Sequence, residues 1–218
     1  FDTHINLLYR IYYDKIMNST VNVSLDRFHL KNILFFDKGG IEWDSKTIQE
    51  RSLRGTENAI YQLANTISSL NLNETIVLTK GGKLDRIKNN LEFNSIDCLT
   101  QYNPEVVIYQ GFIYNDTLFK DKIQLLYMQH DITVDFIKKY FSNIKKIDAT
   151  INGYIFVSHW QKNRFIQYYQ LNSDKCHVIQ NAIHPMIDYK CKTMDKTPTI
   201  IFTSSPYRGL IPLLSLFD

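Results

Sequence analysis

The stretch from residue 31 to residue 70 contains a short buried strand, a glycine-bearing loop and an amphipathic helix, in that order. The apolar run Ile33–Phe36 has the length of a strand that is buried on both faces. Three glycines follow in the loop, and apolar residues then recur three and four positions apart from Ile60 to Leu70. Glycine lets backbone approach a ligand, and a helix start offers free N–H groups. The sequence therefore predicts the opening unit of a nucleotide- or phosphate-binding α/β domain.

Buried apolar runs continue to alternate with helical patterns up to about residue 180. We predict a short helix over Lys83–Asn90 and another helix over Val134–Phe141. Ser158 is a suitable N-cap for a helix that reaches about Tyr169, and we expect His159 and Trp160 to pack that helix against the sheet. This alternation predicts an α/β fold, a Rossmann-like and mainly parallel sheet with helices on both faces. The predicted strands are Ile33–Phe36, Thr75–Thr79, Leu91–Ile96, Glu105–Tyr109, Ile123–Met128, Gly153–Val157 and Cys176–Ile179.

The chain divides into three parts in this interpretation. Residues 1–30 carry a helical apolar pattern that differs from the strand–helix alternation after them, and we assign them to an N-terminal helical extension. Residues 31–190 form the Rossmann-like domain. Residues 191–218 contain a polar linker followed by a strand, a loop and half a helix. Because such a fragment cannot form a core, we expect a second domain that continues beyond it.

Composition excludes several function classes. The net charge of +3 is too small to predict a nucleic-acid partner. The three cysteines show neither metal-ligand spacing nor an even-numbered framework, which favours reduced thiols in a cytoplasmic protein. No apolar run has the length of a membrane-spanning helix. We therefore expect a globular protein in the cytoplasm, without a metal.

Five short segments give the more specific signal. The segments are Gly39-Gly40 with Arg54-Gly55-Thr56-Glu57, then Gln129-His130-Asp131, Ile155–Gln161, Val178–Ile183 and Thr203–Leu210. They resemble segments of the retaining glycosyltransferases of the GT-B fold, in particular the large family 4 type, occur in the order in which that family has them, and cover about residues 31–218. Arg54 and Ala182 stand where the family pattern often has glycine.

The resemblance implies a function as well as a fold. The chain would be the N-terminal, acceptor-side half of a GT-B enzyme that transfers a sugar from a nucleotide sugar to a glycan, lipid or protein acceptor. The anomeric configuration would be retained, and neither a metal nor another cofactor would be needed. The hypothesis allows peripheral contact with a membrane. The donor-binding domain would lie beyond this chain, and the chain alone would be inactive.

His130 is the catalytic residue that the resemblance implies. It follows a predicted strand, and in a parallel sheet that end of the strand opens onto the ligand crevice. By resemblance its side chain would hydrogen-bond the transferred sugar; the alternative is a structural histidine at a strand end. Asp131 either orients His130 or caps the next turn.

The resemblance also implies phosphate-binding residues. The backbone N–H groups of Gly55 and Thr56 would meet a phosphate at a helix start, unless Gly55 is a loop glycine and Thr56 a plain N-cap. Arg208 would bind the leaving diphosphate, or else it is a surface arginine. Gly40 would support the site by close backbone approach. Glu57 is expected to be a first-turn carboxylate favoured by the helix dipole.

The long interval between Gly40 and Gly55 predicts a loop rather than a tight pyrophosphate turn. We expect residues 39–55, which include Trp43, to be poorly fixed at the mouth of a cleft.

Three other functions fit the same architecture. A non-catalytic module for carbohydrate or nucleotide binding and a sugar-nucleotide epimerase remain open alternatives. A dinucleotide-binding oxidoreductase is disfavoured, because no compact Gly-x-Gly-x-x-Gly comes after the first predicted strand.

Overall fold

The structure is a computed structural model that describes residues 32–51, 53–70, 73–87, 90–114, 117–181 and 210–215. The chain divides into two compact units, residues 1–183 and residues 184–218. The predicted extension over residues 1–30, the predicted linker and Arg208 lie outside the described residues. The domain boundaries that the sequence suggested therefore stay predictions.

The first unit is built on one eight-stranded sheet, in the described part of the chain. Its strands run parallel except for β3, which pairs antiparallel with β4 at one edge. The order across the sheet is β3-β4-β2-β1-β5-β6-β7-β8. The strands are β1 (Asn32–Asp37), β2 (Glu74–Thr79), β3 (Asp85–Ile87), β4 (Leu91–Ser95), β5 (Val106–Gln110), β6 (Ile123–Met128), β7 (Gly153–Phe156) and β8 (Cys176–Val178).

The parallel strands have the order of a doubly wound fold. Counted without β3, they run third, second, first, fourth, fifth, sixth and seventh across the sheet. The direction of winding reverses between β1 and β5, where Ile33 lies beside Val106 and Phe36 beside Tyr109. The prediction of a Rossmann-like, mainly parallel sheet is confirmed.

Helices cover both faces of this sheet, as predicted. Two 3-10 helices, Ile96–Gln101 and Ser173–Lys175, lie in connections before β5 and β8. The α-helices of the first unit are α1 (Ser45–Glu50), α2 (Gly55–Ser69), α3 (Asp135–Phe141), α4 (Ile144–Thr150) and α5 (His159–Tyr169). In the second unit the structure describes α6 (Leu210–Leu214).

The core forms two apolar layers because successive side chains of each strand point to opposite faces. On one face α2 buries Ile60, Ala64 and Ile67 against alternate residues of the strands, and buried Trp43 joins this layer. On the other face α3, α4 and α5 cover the remaining set, with Phe165 among its fully buried members. The apolar spacing along α2 thus predicted its buried side correctly.

The segment Lys83–Asn90 does not form the predicted helix. Three of its residues form β3 instead, and Arg86 Nε lies 2.7 Å from Glu92 Oε2 across the β3–β4 pair. A three-residue edge strand is too short to produce an alternating pattern in the sequence, and pairing with β4 overrides the local preference.

The predicted packing of α5 is wrong at its first two residues. His159 and Trp160 are exposed, and Trp160 retains 61% of its accessible surface. The serine cap is confirmed, since Ser158 Oγ accepts a hydrogen bond from Gln161 N at 3.1 Å. Gln161 and Phe165, four residues apart on one side of the helix, face the sheet.

Replacing Phe165 by alanine should therefore destabilise the first unit strongly. Its ring lies 5.4 Å from that of Phe141, 5.1 Å from Phe156 and 5.6 Å from Tyr169, centroid to centroid. We expect Phe165→Ala to lower the free energy of unfolding by about 3–5 kcal/mol, measured by urea denaturation. The control is Tyr168→Ala on the same helix, where the side chain is 62% exposed and the loss should be about 0.5 kcal/mol or less. Equal losses in the two variants would contradict this packing.

Candidate functional site

The candidate site lies at the carboxyl edge of the sheet. In doubly wound sheets ligands bind outside the carboxyl ends of the strands, where the winding reverses. Here that point is the end of β1 and of β5, at Asp37 and Gln110, which occupy neighbouring strands and are both buried. The loops after β1, β6, β7 and β8 leave from the same edge, and four of the five family-like segments include them.

Asp37 fixes the loop after β1. Its side chain is 2% exposed and accepts two hydrogen bonds, from Gly39 N at 3.2 Å and from Trp43 Nε1 at 2.9 Å. Trp43 is itself 1% exposed, its backbone N donates to Lys80 O at 3.2 Å, and Thr79 Oγ1 donates to its carbonyl oxygen. The hydrogen bonds of one buried carboxylate and one buried indole thus hold the loop against the sheet.

The expectation of a poorly fixed loop over residues 39–55 is wrong. Besides the burial of Trp43, the loop contains α1, which has a complete capping box. Asp44 Oδ1 accepts from Thr47 N at 2.9 Å, and Thr47 Oγ1 accepts from Asp44 N at 3.2 Å. Ser45 also donates a hydrogen bond to Asp85 of β3. The length of the loop reflects an additional helix rather than a free segment.

Position 40 requires glycine because of its backbone conformation and because the side chain of Glu57 lies close to it. Its φ of +71° lies in the left-handed region, and a Cβ atom there would overlap Oε1 of Glu57. Glu57 lies in the first turn of α2, is 2% exposed and accepts a hydrogen bond from Ile41 N at 3.5 Å. The expected role of Glu57 at the helix start is therefore combined with a second one, which is to hold the loop.

The environment of Asp37 raises its pKa to about 6. Burial is the largest cause, because it disfavours the charged form, and the negative charge of Glu57 adds to it. The hydrogen bonds from Trp43 and Gly39 act in the opposite direction. The carboxyl group of Asp37 therefore makes this end of the sheet sensitive to protonation near pH 6.

Gly55 and Thr56 begin α2, as the sequence predicted. The N-cap is Arg54, which makes no side-chain capping bond, so the alternative of Thr56 as N-cap is wrong. Gly55 is exposed, and a Cβ atom there would meet no atom within 4 Å. Neither packing nor a positive φ explains this glycine, and the contact of its backbone with a phosphate stays a prediction.

His130 lies in the loop after β6, half-buried at the carboxyl edge. Its ring meets that of Phe136 edge to face, with the centroids 5.0 Å apart. Its backbone carbonyl accepts a hydrogen bond from Gln161 Nε2 at 2.9 Å. The imidazole is thus presented at the strand end that the resemblance implied, with its backbone tied to α5.

Asp131 caps the turn before α3, which was one of its two predicted roles. Its Oδ1 accepts from Thr133 N at 3.0 Å, and its Oδ2 lies 3.4 Å from Nε of Arg164. Partial burial pushes the pKa of Asp131 upward, but the hydrogen bonds from Thr133 and the charge of Arg164 outweigh it, and the net pKa lies below the ordinary value. Asp131 is therefore ionised at neutral pH.

Two amide side chains at this edge were not singled out from the sequence. Gln161 of α5 bridges the ends of β6 and β7. Asn181, after β8, accepts at Oδ1 from Tyr127 Oη at 2.9 Å, and its Nδ2 donates to Gln129 Oε1 at 3.0 Å. The spacing Ser158-x-x-Gln161 is that of a capping box and could have drawn attention to Gln161. The role of Asn181 depends on a neighbour more than 50 residues away, and no local pattern reveals it.

Three further expectations concern Arg208, a metal site and a membrane-spanning helix. Arg208 lies outside the described residues, so its predicted contact with a diphosphate stays a prediction. Among the residues that the structure describes, His, Cys, Asp and Glu form no group of three that could hold a metal ion. Within the same ranges, no helix is both long and apolar enough to cross a membrane.

Titration of Asp37 should appear in the pH dependence of stability. Folding raises the pKa of Asp37 from 3.8 to about 6, so the folded state binds a proton more tightly than the unfolded state does. The resulting gain in stability is fully present below pH 3.8 and is lost as the pH rises through 6. The loss amounts to about 3 kcal/mol. About 2.4 kcal/mol of this loss falls between pH 4 and pH 7. We expect the fall in free energy of unfolding over that range to be smaller by this amount in Asp37→Asn than in the wild type. Denaturation curves at each pH measure it.

The matched control for this comparison is Asp135→Asn, at a carboxylate whose side chain is 99% exposed. It shows what the loss of one solvent-exposed carboxylate does to the same denaturation curves. An unchanged pH dependence in Asp37→Asn would show that Asp37 does not titrate in this window.

The chain was compared with known proteins. No protein-family model matches it, and no curated protein sequence is similar to it. The fold is established by the strand order and the packing described above. The resemblance to GT-B glycosyltransferases rests on the five quoted segments.

Proposed function

We propose that this chain is the acceptor-side domain of a retaining glycosyltransferase of the GT-B type, which transfers a sugar from a nucleotide sugar to an acceptor. The observation that carries the proposal is the convergence of four family-like segments on one edge of the sheet. They include Gly40 and Gly55 around the β1–α2 connection, His130 after β6, Ser158 after β7 and Asn181 after β8. This is the edge at which doubly wound folds bind their ligands.

The proposed chemistry divides between two sets of groups. His130 would hydrogen-bond a hydroxyl group of the transferred sugar, and the nearby ion pair of Asp131 and Arg164 would keep its loop in place. The departing diphosphate gains negative charge during transfer, so catalysis requires N–H groups or cations beside it. The start of α2 at Gly55 and Thr56, which has no side-chain cap, offers such N–H groups.

Product analysis with the full-length protein tests the proposal. We expect incubation with UDP- and GDP-sugars labelled in the sugar, together with a glycan and lipid acceptor mixture, to give a labelled glycoside and free nucleoside diphosphate. NMR of the product should show the anomeric configuration of the donor. Free epimerised nucleotide sugar without any glycoside would identify an epimerase instead. Saturable binding without turnover would identify a binding module.

His130 should be the most sensitive histidine in that assay. His130→Asn should lower kcat by about a hundredfold, because it removes a hydrogen bond that we propose is made to the reacting sugar. His159→Asn is the matched control, since His159 is exposed at the start of α5. Its kcat should equal that of the wild type. Equal activity of the two variants would rule out the proposed role of His130 and leave the structural alternative.

A further inference from the structure

Gln161 joins two strand ends through its side-chain amide. Its Oε1 accepts a hydrogen bond from Val157 N at 2.9 Å, just after β7, and its Nε2 donates to His130 O at 2.9 Å, after β6. The side chain is 4% exposed. Because one end of the amide faces a donor and the other an acceptor, its orientation is determined by its partners.

This arrangement departs from an ordinary capping box. In a capping box, the third helical residue reaches back to the backbone N–H of the N-cap residue, which here is Ser158. Gln161 reaches one residue further back, to Val157, and thereby places its NH₂ group against the neighbouring strand end. Glutamate could serve as the acceptor in such a box, but an ionised carboxylate has no donor for His130 O. The helix cap explains an acceptor at this position, and the contact with His130 explains why the residue is an amide.

We propose that Gln161 is a positioning residue, which fixes the loop after β6 so that the imidazole of His130 stands at the carboxyl edge in one orientation. The effect on turnover rests on the proposed function, whereas the effect on the imidazole does not. The hydrogen bonds of the Gln161 side chain, within the part of the chain that the structure describes, go to backbone atoms of Val157 and His130. Gln161 therefore acts through His130 rather than on a substrate.

Three variants separate positioning from helix capping. Gln161→Glu keeps the acceptor for Val157 N and removes the donor to His130 O. Gln161→Met removes both polar groups at similar length and without adding charge. Ser158→Ala is the matched control, because it removes the bond between Ser158 Oγ and Gln161 N from the same helix and leaves the side-chain amide of Gln161 intact.

The first measurement is the imidazole Cε1–H resonance of His130 in each variant, by ¹H–¹³C NMR. The chain has six histidines, and His130→Asn identifies the resonance by its disappearance. We expect Gln161→Glu and Gln161→Met both to move this resonance. Ser158→Ala should lower the melting temperature and leave the resonance at its wild-type position. If Gln161→Met does not fold, Gln161→Glu decides alone, since it retains the cap.

The second measurement is kinetic and uses the full-length protein. Both Gln161 variants should lower kcat by about tenfold to a hundredfold with a smaller change in KM, because the reacting geometry is disturbed more than binding. A His130 resonance that stays in place in Gln161→Glu, or one that moves as far in Ser158→Ala, would overturn the proposal and leave Gln161 as a helix cap. If the full-length protein transfers no sugar, the proposed function fails, and the resonance still decides the role of Gln161.

Discussion

The carboxylate of Asp37 is the group on which the arrangement at the carboxyl edge depends. It ends the central strand β1 and is buried, and a buried carboxylate is costly unless donors reach it. The donors are Gly39 N and Trp43 Nε1, both supplied by the next loop. The loop must therefore turn back over the strand end. That turn requires a positive φ at Gly40 and brings Ile41 N to Glu57 at the start of α2. The path of the chain from β1 to α2 thus satisfies the buried carboxyl group of Asp37, while the apolar side of α2 packs against the sheet.

The opposite end of the edge is held by neutral groups. There the amide of Gln161 connects the ends of the neighbouring strands β6 and β7, and the amide pair of Gln129 and Asn181 connects the ends of β6 and β8, which lie on either side of β7. Amides supply a donor and an acceptor on one side chain, so they can join two backbone groups of opposite polarity without a buried charge. The site therefore combines a carboxyl group near β1, which responds to pH, with amide contacts beside His130. The Asp131–Arg164 ion pair lies next to these amide contacts.

The sheet was predictable because its signals are local. Each central strand is a short run of mainly apolar residues buried on both faces, and such runs stand out in the sequence. α2 was predictable from its 3.6-residue period. The strand β3 and the helix α1 were not, since one has three residues and the other is held by a polar capping box around Asp44. The burial of Trp43 was not predictable either, because its hydrogen-bond partner Asp37 precedes it by six positions and gives no pattern.

The candidate site was predictable to the level of strand ends. Residues after a parallel strand must lie at the carboxyl edge, which is why the positions of His130 and Gly40 could be inferred from the sequence. Contacts between loops were not predictable, because they depend on which strands become neighbours. Gln161 meets His130 only because β6 and β7 lie side by side.

The central position of β1 has a consequence for the order of assembly. One neighbour of β1 in the sheet, β2, is also the next strand along the chain. The other neighbour, β5, is made only after two further strands, β3 and β4. During synthesis, one edge of a mainly apolar strand therefore stays unpaired until β5 emerges, and closing that distant pairing costs loop entropy before contacts compensate for it. The interval in which this domain is most exposed to mispairing with other chains thus ends when β5 docks beside β1.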